Sequence, residues 1–89
     1  MSTAAPWHRE PTPEESYTWT GHTVRVRLAR RSARVPTWLV TCREVLFNDT
    51  PLERSAEWCA VDAQYAALKA VDERLAEMSG EVRKAMGEA

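Results

Sequence analysis

The sequence predicts an α+β fold in which a short antiparallel β-hairpin is followed by one long C-terminal α-helix. Three observations carry it: period-two alternation over Thr23–Ala29, a run from Leu52 to Ser79 free of proline and glycine, and Thr50-Pro51-Leu52-Glu53 at the head of that run. The alternative is a mostly α chain, a helical hairpin with one N-terminal strand.

Residues 1–15 hold Pro6, Pro11, Pro13 and three glutamates, with Trp7 the one large apolar side chain. That composition predicts a disordered tail, in which Trp7 is either an anchor for another protein or idle. Residues 16–89 form a single small domain. A core of that size supplies only about 3–5 kcal/mol, so a second subunit is expected and a homodimer is the simplest form of it.

In the strand, Val24, Val26 and Leu28 share one face while Arg25 and Arg27 take the other. Tyr17-Thr18-Trp19-Thr20 is also strand-like, and apolar parity changes at Gly21, where a bend or bulge fits. Arg30-Arg31-Ser32-Ala33-Arg34 reads as the loop that follows. Residues 37–47 fit two patterns: Trp38-Leu39-Val40-Thr41-Cys42 has strand composition, whereas Trp38, Leu39, Cys42, Val45 and Leu46 also fit one helical face. Strand is the preferred reading.

For the helix, Thr50 caps the Glu53 amide, Pro51 needs no amide partner at the first helical position, and Glu53 reaches back to the cap. A helix of about 30 residues, roughly 45 Å long, follows. It ends at Gly80 or runs through it at a cost of about 1 kcal/mol. Val61, Leu68, Leu75 and Val82 are spaced by seven, and Gln64, Val71, Met78 and Ala85 follow each by three, which is an a/d seam. An amphipathic helix packed on its own sheet has the same pattern. A two-stranded hairpin is about half as long as this helix, so a second copy covering Val61, Leu68, Val71, Leu75 and Met78 is the expected dimer interface.

The net charge of −1 conceals a segmental split. From Ser16 to Arg43 there are six arginines and no acid, and the chain beyond is acid-rich. Arg25, Arg27, Arg30, Arg31 and Arg34 are the candidate binding residues, because guanidinium groups grip carboxylates and phosphates through paired hydrogen bonds. Trp19 and Tyr17 lie close enough in sequence to stack on bases, but core packing explains them equally, and Trp38 and Trp58 read as core. A pI near 6.1 is far from the balance usual for nucleic-acid-binding domains. A solvated basic face, or one paired with the acidic helix, is the plainest explanation of the same residues.

No motif for catalysis stands out. There is no nucleophile elbow and no phosphate-cradling loop, with only three glycines in the chain. His8, His22, Cys42 and Cys59 lack the short spacings of structural zinc sites, so neither metal nor cofactor is expected. Two cysteines inside apolar runs read as buried thiols. No leader and no uncharged run of about 20 residues is seen, which predicts a cytoplasmic protein with no membrane contact. Arginine outnumbers lysine ten to two, pointing to a GC-rich bacterial or phage genome.

The expected function is a small non-enzymatic interaction module, an adaptor or inhibitor. It would dimerise through its helix and present the arginines to an acidic protein partner. The alternative is a regulator that sets the same arginines on nucleic-acid phosphates.

Overall fold

The alternation that predicts one hairpin continues in both directions into a five-stranded antiparallel sheet. In the computed structural model, residues 7–31 and 34–87 are described. Strands β1 (His8–Arg9), β2 (Glu15–Thr20), β3 (Arg25–Arg30), β4 (Leu39–Cys42) and β5 (Phe47–Pro51) lie side by side in chain order, and helix α1 (Ala60–Gly87) follows. The fold is α+β, as the sequence predicts.

The disordered tail expected over residues 1–15 does not reach as far as residue 15. His8 pairs with Thr18 and Arg9 with Tyr17, and Trp7 packs half-buried against the chain's own core. Residues 1–6 lie outside the described residues. Pro11 and Pro13 sit in the β1–β2 connection, where a missing amide hydrogen costs no ladder bond.

Strands β2 and β3 pair from Glu15↔Arg30 to Thr20↔Arg25 and are joined by a turn closed by the Gly21 amide on the Val24 carbonyl at 2.8 Å. The Trp19 ring crosses this turn. A Cβ on Gly21 would lie 2.5 Å from it, so any larger residue there has to displace the Trp19 ring.

Residues 37–47 begin as a strand and then turn. Strand β4 ends at Cys42, residues Arg43–Val45 make a single 3₁₀ turn, and Leu46 closes it at φ 64° with its amide on the Arg43 carbonyl. Val45 is thereby driven fully into the core.

The helix starts later than its sequence signal. Thr50 and Pro51 finish strand β5 rather than capping α1, and Pro51 suits an edge strand whose outer amides need no partner. The reason is tertiary. Leu52 donates its amide to the Trp38 carbonyl, Ser55 accepts the Trp38 amide, and Arg54 turns left-handed at φ 61°, so residues 52–59 are committed to bracing Trp38. Helix bonding begins with the Ala63 amide on the Cys59 carbonyl and runs through Gly80.

Sheet and helix meet over small residues. Ala63, Ala67 and Val71 recur at helical spacing and are buried in one cluster with Val26, Leu28, Trp38, Val40, Cys42 and Val45. Six-residue strands span about 20 Å, while the 28-residue helix spans about 42 Å. Met78 is the last helical residue packed on the core, and residues 79–87 are exposed throughout.

Candidate functional site

Strand alternation gives the sheet two unlike faces. Toward α1 point Tyr17 and Trp19 of β2, Val26, Leu28 and Arg30 of β3, and Val40 and Cys42 of β4. The opposite face carries Thr18, Arg25, Arg27 and Thr41, with Thr18, Arg27 and Thr41 side by side on three neighbouring strands. The helix covers only the first face.

On this second face, open around Arg25 and Arg43 while Ser16, Thr18 and Ala29 are buried, the arginines converge with residues brought from two connections. Arg25, Arg27 and Arg43 line a shallow depression of about 500 Å³ together with Glu10, Glu44, Thr18 and Thr41. Glu10 arrives from the β1–β2 connection and accepts the Thr18 hydroxyl. Glu14, from the same connection, holds the Arg27 guanidinium at 2.9 Å. Glu44 comes from the 3₁₀ turn and accepts the Arg25 backbone amide at 3.0 Å. That amide, outweighing the small desolvation, holds the Glu44 carboxyl below its usual range, so it stays charged. Arg25 and Arg43 form no salt bridge among the described residues, which leaves two guanidinium groups presented in a site that also contains carboxylates.

The five arginines expected to act together do not share this face. Arg30 has the parity of Val26 and Leu28 and therefore turns to the helix side. There its guanidinium lies 4.5 Å above the Trp38 ring, with Nε and Nη2 on Glu15 at 2.8 and 2.7 Å. Tyr17 donates to the other Glu15 oxygen at 2.7 Å, and Arg9 stacks over Tyr17 at 5.4 Å. Burial pushes the Glu15 carboxyl up, but the Tyr17 and Arg30 hydrogen bonds and the charges of Arg30 and Arg9 hold it below its usual range. Tyr17 is raised, by burial first and by Glu15 second. Arg30 is thus tied up in the fold and is withdrawn from the set of presented arginines. Arg31 is exposed and 3.6 Å from Asp49, and Arg34 is exposed in the turn beyond Ser32 and Ala33, which lie outside the described residues. Arg43, which sequence reasoning did not include, joins through the 3₁₀ turn.

The residues expected at a dimer interface are also divided. Val71 is 4% exposed and spent on the chain's own sheet, and Leu68 and Met78 pack half-buried against the same core. Val61 and Leu75 remain exposed. Val71, Met78 and Leu68 of the seam therefore serve the intramolecular core, while Val61, Leu75 and Val82 stay exposed along its flank. That flank has no covering element among the described residues.

Cys42 is a buried thiol, with its pKa raised by burial and by the neighbouring Glu44, whereas Cys59, expected inside, is exposed at the helix start. Among the described residues no group of three His, Cys, Asp or Glu side chains is placed to hold a metal ion. No helix among them is long and apolar enough to cross a membrane. Comparison with protein-family models, curated proteins and solved structures gave no match to this chain, so its function is argued from the geometry of the open face.

Proposed function

We propose that the chain is a non-enzymatic protein-interaction module, an adaptor or inhibitor, that presents the open face of its sheet to an acidic protein partner and dimerises through α1. The observation that carries this reading is the convergence of Arg25, Arg27 and Arg43 on the one sheet face that the helix leaves uncovered. Arg31 and Arg34, exposed beyond the end of β3, extend the basic character of the chain. Exposed guanidinium groups of this kind set association rate and specificity more than raw affinity.

A mixed-charge site favours protein over nucleic acid. Glu10 and Glu44 stand among the arginines, and a phosphate backbone laid across them would meet two carboxylates. A protein surface supplies acids for the arginines and donors for the carboxylates.

The test is affinity capture with wild type and with the R25S/R43S variant, followed by direct titration of the captured protein at two salt concentrations. Loss of the partner on substitution, with affinity that falls as salt rises, supports the reading. Unchanged capture by R25S/R43S overturns it. Random-sequence DNA and RNA are titrated in parallel by fluorescence anisotropy. Tight binding there, with a salt slope of several phosphate contacts at about −0.9 each on duplex DNA, would replace the protein partner with nucleic acid.

A further inference from the structure

The projecting end of α1 and the groove beside its buried half are complementary. Beyond Met78 the helix carries Val82 and Met86, 59% and 65% exposed. Beside the buried half, Trp19 and Val24 of the β2–β3 hairpin and Leu68, Asp72 and Leu75 of α1 line an apolar groove of about 170 Å³. Helical geometry sets both on one edge of α1. Leu68, Leu75 and Val82 recur every seventh residue with a drift of about 20° per step, and Met86 follows Leu68 by five full turns at about 3.6 residues each. Asp72 and Arg83 are about three turns apart and border that same edge on its outer side.

We infer that a second copy of this chain docks antiparallel along this edge, its Val82 and Met86 covering the Leu68–Leu75 groove while its own groove receives the same residues in return. This deepens the dimerisation proposed above and rests on it. With the two-fold axis between Glu77 and Met78, Asp72 lies level with Arg83 of the second copy. Leu68 comes within a rise of about 1.5 Å of Met86, and Leu75 falls between Ser79 and Val82. The axis runs perpendicular to both helices, so the outer border of one meets the outer border of the other, and two Asp72–Arg83 pairs form. The two sheets then sit at opposite ends of the helix pair, and each exposed helical overhang passes beside the other copy's hairpin. Such an interface is isologous and closes at two copies.

Charge selects the orientation. A parallel pair has its two-fold axis along the helices, which puts the Asp72 and Arg83 border of one copy on the opposite side of the interface from that of the other, so no Asp72–Arg83 pair forms. The antiparallel register brings the same border of the two copies together and forms two such pairs. It also exchanges the interface residues expected from the heptads, because Val71 and Met78 serve the core and Val82 and Met86 take their place.

The experiment is sedimentation equilibrium on the full chain with Asp72→Arg, Arg83→Asp and an equimolar mixture of the two, with circular dichroism as a check on folding. Both side chains lie on the helix surface, so neither change threatens the core. Each variant alone should dimerise about tenfold or more weakly than wild type, because two attractive contacts become repulsive. The mixture should recover wild-type affinity. In the mixed dimer the arginine introduced at position 72 of one chain meets the aspartate introduced at position 83 of the other, and the second contact is the native Asp72–Arg83 pair. V82S/M86S should be monomeric with an unchanged helix signal. A dimer indifferent to both charge reversals overturns the antiparallel register and leaves helix dimerisation standing. A wild-type chain that stays monomeric at high micromolar concentration overturns both. Neither result touches the arginine face, which is judged by capture with R25S/R43S.

Discussion

Replacing Glu15 with Gln isolates the charge cluster that holds Arg30 against the core. The carboxylate receives the Tyr17 hydroxyl at 2.7 Å and Nε and Nη2 of Arg30 at 2.8 and 2.7 Å. Hydrogen bonds to a charged group contribute about 1.5–3 kcal/mol when buried. Here the side chains of Glu15 and Arg30 are 24% and 30% exposed, which screens the charge part, and glutamine keeps one carbonyl acceptor. The net loss at pH 7 is therefore about 1–2 kcal/mol. With a urea m-value of about 1 kcal/mol/M for a chain this small, the unfolding midpoint should fall by about 1–2 M. Acid should erase the difference. Because the folded carboxyl titrates below its unfolded value, its stabilisation is full above about pH 4.3 and is lost as pH falls through the lower folded pKa. Other carboxylates are common to both proteins and cancel in the comparison. A gap below about 0.5 kcal/mol at pH 7, or one that persists unchanged into acid, would refute the assignment of Glu15 as the charged centre of this cluster.

Two further outcomes are expected. Ser55→Ala should cost about 1–3 kcal/mol in the same urea assay, because the fully buried hydroxyl accepts the Trp38 amide at 2.9 Å and its removal leaves that amide without its acceptor. A loss restricted to a few tenths would mean the segment at residues 52–59 does not brace Trp38 as described. Under native conditions a thiol reagent should modify Cys59 rapidly and Cys42 only on unfolding, since Cys42 is 1% exposed with a raised pKa. Rapid reaction of both thiols in the folded chain would contradict the placement of Cys42 beneath α1.

The legible parts of this fold are those set by local periodicity. Val24, Val26 and Leu28 against Arg25 and Arg27 could be assigned to faces from spacing alone, because a strand has no other way to place them. Arg30 obeys the same parity but reads in the sequence as the start of the following loop, which places it among the presented arginines. Extending the strand by one residue turns it inward, and Glu15, paired across the ladder, is the acid that makes such burial tolerable. The helix start was misread for a different reason. Thr50-Pro51 satisfies the rules for a helix cap and for an edge strand equally well, and the choice fell to Trp38, twelve residues upstream, whose amide and carbonyl required Ser55 and Leu52. Strand β1 is only two residues long, too short to carry a period, and its proline-rich neighbours suggested a tail.

The candidate face follows the same division between local and distant causes. Period-two spacing delivers Arg25 and Arg27, but Arg43 joins them only through the 3₁₀ turn at the end of β4, and Glu10 only because β1 pairs back on β2. Neither placement leaves a trace in a window of ten residues. The consequence for function is specific: the arginines visible in sequence suggest a basic strip suited to phosphates, whereas the assembled face intersperses them with two carboxylates. On the proposed reading this mixture of charges supports the protein partner already preferred from the sequence over the nucleic-acid alternative. On this argument, Glu10→Gln and Glu44→Gln together should raise affinity for duplex DNA and lower it for the protein partner, and equal movement of the two affinities would show that the carboxylates do not discriminate between them.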